Sequence, residues 1–144
     1  MKRQAFSLIS LLTLLLVAGS AIAQTVHVRG NIPFNFAVGS KTFPAGTYDI
    51  GSIDSGTGKI LVLQARDSNT SMMLNSNAAE NLEPADKTKL VFNQYGNRYF
   101  LSQIWVAGET RGHQLPKTSR EKEMAREVAQ NLTQGRVEIM ASLQ

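Results

Sequence analysis

Residues 26–38 alternate in polarity: Val26, Val28, Ile32, Phe34, Phe36 and Val38 take the even positions, while Thr25, His27, Arg29, Asn31 and Asn35 fall between them. A period of two marks a strand with one buried face. Pro33 sits on the polar parity and lacks a ladder donor, so the segment is expected to bend or break near Gly30-Asn31 and to reach an edge or a bulge. Gly39-Ser40 is a two-residue hairpin signal that pairs Val38 with Lys41 and sets Phe36 opposite Phe43. Phe43-Pro44-Ala45-Gly46 reads as a type I turn, after which the chain returns over residues 47–53.

The pattern then changes character. Residues 55–58 are Ser, Gly, Thr and Gly, a loop, and Ile60-Leu61-Val62-Leu63 is continuously apolar, which predicts a central strand covered on both faces. A weaker strand is expected over residues 71–75. Residues 76–87 show no period and read as the longest loop. Residues 90–106 form the second strong signal, a hairpin about Gly96-Asn97 that pairs Tyr95 with Arg98. One face then carries Leu90, Phe92, Tyr99, Leu101 and Trp105, and the other Val91, Phe100, Ile104 and Val106, so the returning strand needs cover on its second face.

Thr118-Ser119-Arg120-Glu121 has the spacing of a capping box, and Met124, Ala125, Val128 and Leu132 form a narrow apolar stripe, so the cover is expected to be a helix ended by Gly135. Its acidic residues Glu121, Glu123 and Glu127 read as a solvated face. Residues 136–143 alternate again and predict a last strand. The whole implies a mainly β domain of about seven or eight strands, an antiparallel sandwich or a partly open barrel, with one C-terminal α-helix on a face.

Composition adds an address. Lys2 and Arg3 precede an apolar run, and Ala21-Ile22-Ala23 supplies a small-residue cleavage site before Gln24, so residues 1–23 read as a signal peptide and 24–144 as one exported domain, periplasmic or extracellular. The run is short of the roughly 20 residues a membrane span needs, so no stable span is expected after cleavage. Of 15 Lys and Arg against 11 Asp and Glu, two basic residues leave with that segment. The remainder are scattered, which speaks against nucleic acid as a partner. With no cysteine in the chain, disulfides, thiolate metal sites and cysteine nucleophiles are excluded.

Few residues suggest chemistry. Asp54-Ser55-Gly56-Thr57-Gly58 has the form of an aspartic-protease motif, in which two chains would pair their Asp54 carboxylates, but the flank favours a polar turn, since Asp49, Gly51 and Ser52 precede it where a buried apolar strand would be needed. His27 and His113 are the only histidines and read as surface residues; no metal or other cofactor is expected. No Gly-Xaa-Ser-Xaa-Gly element occurs. Tyr95, Arg98 and His113 are the candidates for a binding surface, since aromatic rings beside a cation can stack a base or a sugar, although core packing explains most of the rings.

Ile32-Pro33-Phe34-Asn35-Phe36-Ala37-Val38-Gly39, Pro44-Ala45-Gly46-Thr47-Tyr48, Leu90-Val91-Phe92, Tyr95-Gly96-Asn97-Arg98-Tyr99-Phe100-Leu101, Ile104-Trp105 and Ser119-Arg120-Glu121-Lys122-Glu123 together give the chain its pattern. In these stretches it resembles a family of small exported bacterial proteins to which no activity, cofactor or catalytic residue is assigned. The resemblance implies export and a single domain and transfers no chemistry. The expected function is a non-enzymatic envelope or extracellular protein that binds a protein or small-molecule ligand through the loops at 76–87 and 107–117. The alternatives are a dimeric hydrolase using Asp54 and a carrier of lipid or another small molecule in an apolar barrel interior.

Overall fold

The computed structural model describes residues 27–53, 59–131 and 134–144. The expected signal peptide with its Ala23-Gln24 junction, the Asp54 motif and Leu132 lie outside these residues. Within them the elements run β1 (His27–Ile32), β2 (Phe36–Val38), β3 (Lys41–Phe43), β4 (Gly46–Ser52), β5 (Ile60–Ala65), β6 (Ser71–Asn75), β7 (Asn77–Glu80), β8 (Lys89–Tyr95), β9 (Arg98–Trp105), β10 (Arg111–Gln114), α1 (Ser119–Asn131) and β11 (Gln134–Leu143). Nine strands form a curled open sheet, a half-barrel, in the order β3-β2-β9-β8-β11-β1-β4-β5-β6. The short strands β7 and β10 stand off this path, β10 pairing with both β7 and β9. The mainly β class with one C-terminal helix therefore holds. The strands beyond seven or eight are three- and four-residue segments, too short to show a period.

The first alternating stretch explains the curl. It breaks at Pro33, not at Gly30-Asn31, and its two parts join distant places in the sheet: β1 lies between β11 and β4, whereas β2 lies between β3 and β9. Along the sheet β1 and β2 are four strand spacings apart, about 19 Å. The four-residue step from Ile32 to Phe36 reaches at most about 14 Å. A flat sheet cannot satisfy both, so the sheet wraps and the link crosses its concave side.

What fills the concave side is largely aromatic. Phe36 stacks on Phe43 at 5.6 Å and meets Tyr48 and Phe92 edge-on at 5.1 and 5.5 Å, and Phe34 meets Phe92 edge-on at 5.1 Å. The Phe36–Phe43 pairing is the one the Gly39-Ser40 signal dictates. Only the first residue of each hairpin turn, Gly39 (φ 58°) and Gly96 (φ 60°), has positive φ, which is the II′ arrangement and the reason glycine stands there. The Tyr48 hydroxyl donates to the Pro44 carbonyl at 2.6 Å, tying the turn to the core. Burial pushes the Tyr48 hydroxyl pKa upward, and Asp67 adds to it.

Four expectations are corrected. First, β8 and β9 keep the Tyr95–Arg98 pairing, but Val91 faces Gln103 while Phe92 faces Leu101, leaving Ser102 as a bulged residue. Alternation restarts beyond it, so Ile104 and Val106 join Leu90, Phe92 and Leu101 inside, and Trp105 does not. Second, β5 is covered fully on one face only: Leu61, Leu63 and Ala65 are buried while Ile60 and Val62 are half-buried. Third, the helix ends before Gly135, which already belongs to β11. Fourth, the two expected loops contain strands that pair with each other, Glu80 with Arg111 through to Asn77 with Gln114.

Candidate functional site

The outer face of β8 and β9 is the part of the sheet that carries polar groups under cover. Helix α1 lies over it, Val128, Met124 and Ala125 packing on Ala37, Tyr95 and Phe100. The helix begins as its sequence indicates, the Glu121 N–H donating to Thr118 Oγ1 at 3.2 Å. The reciprocal half of the capping box is absent, because the Glu121 side chain turns toward the sheet. Its Oε1 accepts from Asn93 Nδ2 at 2.9 Å and from the Tyr95 hydroxyl at 3.2 Å. Glu121 is thus buried, 5% exposed, and not part of the solvated face that Glu123 and Glu127 do form.

Two grooves flank the β2–β9 pairing of Ala37 with Phe100, and both of those residues line both grooves. On one side a depression of about 250 Å³ is lined by Asn35, Thr42, Asn97, Arg98, Tyr99 and Arg120. Tyr99 forms its half-buried floor, one ring face stacked on Phe34 at 4.0 Å and the hydroxyl accepting from Gln94 Nε2 at 3.3 Å. Asn35 Oδ1 accepts the Ala45 N–H at 3.1 Å, which leaves its amide nitrogen as a donor. Arg98 and Arg120 are exposed and make no ion pair among the described residues. On the other side a cleft of about 220 Å³ runs between β2 and β6, with Glu121 at its end.

Four cations elsewhere, Arg29, Arg66, Lys89 and Arg111, are paired with carboxylates. Arg29 grips Asp49 with Nε at 2.6 Å and a second guanidinium nitrogen at 3.1 Å, and Arg66 adds a third contact at 3.1 Å. The Arg29 hydrogen bond, more than any other influence, holds the Asp49 carboxyl below its ordinary range. Lys89 meets Glu138, and Arg111 meets Glu80. Arg136 donates to Gln103, whose amide also receives the Trp105 ring N–H at 3.1 Å.

Of the three residues expected at a binding surface, only Arg98 lines a groove. Tyr95 is 4% exposed beneath the helix, and burial is the main cause of the rise in its hydroxyl pKa. His113 is half-buried in β10, its Nδ1 3.1 Å from Ser76 Oγ, and burial lowers its pKa. Ser76 and His113 are a serine–imidazole pair, yet Ser76 is 4% exposed and also donates to the Lys59 carbonyl, so the pair fastens the β6–β7 corner to β10. His27 is exposed. After Gly108 the chain enters β10, where an aspartic protease would place a helix. Among the described residues no three His, Asp or Glu side chains cluster to hold a metal, and no helix is long and apolar enough to cross a membrane. The sequence missed Arg120, which reads as an ordinary polar position in a helical first turn; only the fold brings it beside Arg98.

No family model, curated protein or solved structure matches the chain, so the arrangement of these side chains is what its function has to be read from.

Proposed function

We propose that the protein is an exported, non-enzymatic binding module that takes an anionic ligand in the Arg98–Arg120 groove. The observation that carries this reading is that one depression is lined by two exposed guanidinium groups, Arg98 and Arg120, neither of which has a carboxylate partner among the described residues. Guanidinium forks match the planar oxygens of carboxylate, sulfate and phosphate groups, and Asn97, the Asn35 amide nitrogen and the edge of Tyr99 add neutral contacts to the rest of such a ligand. Export rests on the Lys2-Arg3 start, the apolar run and Ala21-Ile22-Ala23, and the resemblance to small exported bacterial proteins supports it.

The test is a titration with citrate at low ionic strength, followed by amide and arginine side-chain NMR shifts. Saturable shifts at Arg98, Tyr99 and Arg120 are expected, weakened at least about tenfold in the R98Q/R120Q double variant and progressively by added salt. Equal binding by the double variant would remove the proposal.

A further inference from the structure

The two ends of the curled sheet are protected to different degrees. At one end β3 has only three residues, an exposed Lys41 and Pro44 directly after it, each of which discourages the addition of a further strand. At the other end β6 has five residues and none of these devices. From Ser68 to Ala79 the chain carries no charge and no proline.

The register shows which backbone groups of β6 face away from β5. The Ala65 N–H donates to the Thr70 carbonyl at 2.9 Å and the Ser76 N–H to the Lys59 carbonyl at 2.7 Å, so the hydrogen-bonded rungs between them are Leu63–Met72 and Leu61–Leu74. The N–H and C=O groups of Ser71, Met73 and Asn75 therefore point outward, where no described strand lies. All three residues are exposed, Met73 by 64%, so these groups are hydrated. Covering the edge is unfavourable unless the cover supplies donors and acceptors at the same spacing, which is what another strand does.

We propose that this edge pairs with a second copy of the chain, β6 against β6, antiparallel about a twofold axis through Met73. That register sets Ser71 against Asn75 and Met73 against its own counterpart, and every outward N–H and C=O finds a partner. Other symmetric registers that bond these groups overlap fewer of the five residues. On one face the two exposed Met73 side chains meet and leave water; on the other, half-buried Met72 meets Leu74 of the second copy. Self-pairing brings like residues together, so a charged edge would repel its copy, and the uncharged run removes that obstacle. A five-residue edge buries less than the roughly 1,000 Å² of a stable interface, so the dimer is a weak one, with a micromolar to millimolar dissociation constant. No residue of β6 lines the anion groove, and the two surfaces act independently.

The experiment is sedimentation velocity of the purified protein from about 10 μM to about 1 mM, with amide hydrogen exchange measured at both ends of that range. A concentration-dependent shift from monomer to dimer is expected. The amides of Ser71, Met73 and Asn75 should exchange about fivefold more slowly in the concentrated sample, while those of Met72 and Leu74, already bonded to β5, keep their rates. Met73→Lys and Met73→Glu each set like charges across the axis and should weaken the dimer at least about tenfold. Because Met73 is exposed, neither should move the urea midpoint of the dilute monomer. Mixed in equal amounts, the two variants should pair with each other at least as tightly as the original protein pairs with itself. A monomer at every concentration, protection that does not follow the alternation along β6, or a dimer indifferent to the charges at position 73 would each overturn the proposal.

Discussion

The two faces of the β8–β9 hairpin are made by alternate residues of the same two strands and are put to opposite uses. Toward the concave side Leu90, Phe92, Leu101 and Ile104 belong to one apolar cluster with the rings of Phe36, Phe43 and Tyr48. Toward the helix, Asn93 and Tyr95 stand among Phe100, Val128 and Met124 and share one oxygen of Glu121. A face filled by interlocking rings has no unmet interaction to offer a ligand. A face that covers polar groups must satisfy them one by one, and among the described residues no buried side-chain nitrogen or oxygen is left without a partner.

Substitutions rank the two faces. Phe36→Ala removes the ring that touches Phe43, Tyr48 and Phe92, and is expected to lower stability by about 3–5 kcal/mol in urea unfolding. Thr118→Ala, which removes the helix cap on the other face, should cost about 1 kcal/mol by the same measurement. If the cap proved as costly as the ring, the division into a stabilising and a recognising face would not stand. The smallest effect belongs to His113, at the strand corner outside both faces. Burial depresses its pKa from 6.5, so as pH falls the unfolded chain takes the proton first. Its contribution is complete above about pH 6.5 and is lost as pH drops toward and through the folded value. The urea midpoint should therefore decline from about pH 7.5 to about pH 5.5, and less so in His113→Gln, whose amide N–H can donate to Ser76 Oγ.

Legibility followed periodicity. Both hairpin registers could be read near their turns, because Gly39-Ser40 and Gly96-Asn97 each fix one pairing, and in the second hairpin the rungs follow from it only as far as Phe92 and Leu101. The parity of Ile104 and Trp105 could not, since the bulge at Ser102 leaves no mark in residue types. Strands β7 and β10 were hidden for a related reason. Ala78, Ala79 and Gly112 are small, and at Gly112 the fold requires it, since a Cβ there would lie 2.7 Å from the Trp105 ring. Such residues carry no alternation, so two segments that looked like free loops are in fact paired to each other. The anion groove was half legible: Arg98 was visible beside aromatic residues, while Arg120 arrives from the helix. Glu121 was misjudged because three acidic residues in a helical first half look alike until one of them is found facing the sheet.

The place of β11 has a consequence for how the molecule comes into being. The last of the eleven strands to be synthesised holds the middle of the sheet, bonded to β8 on one side and to β1 on the other. Before it is made, β1-β4-β5-β6 and β8-β9-β2-β3 have no shared strand along the main path; the Pro33 link, β3–β4 turn and short β7–β10 contact connect them. Completion of the sheet therefore waits on contacts spanning more than a hundred residues, such as Val28 with Leu143, and belongs to the slow, high-contact-order regime of β folding. An assembly order that leaves the centre until last makes the C-terminal strand the keystone of the structure.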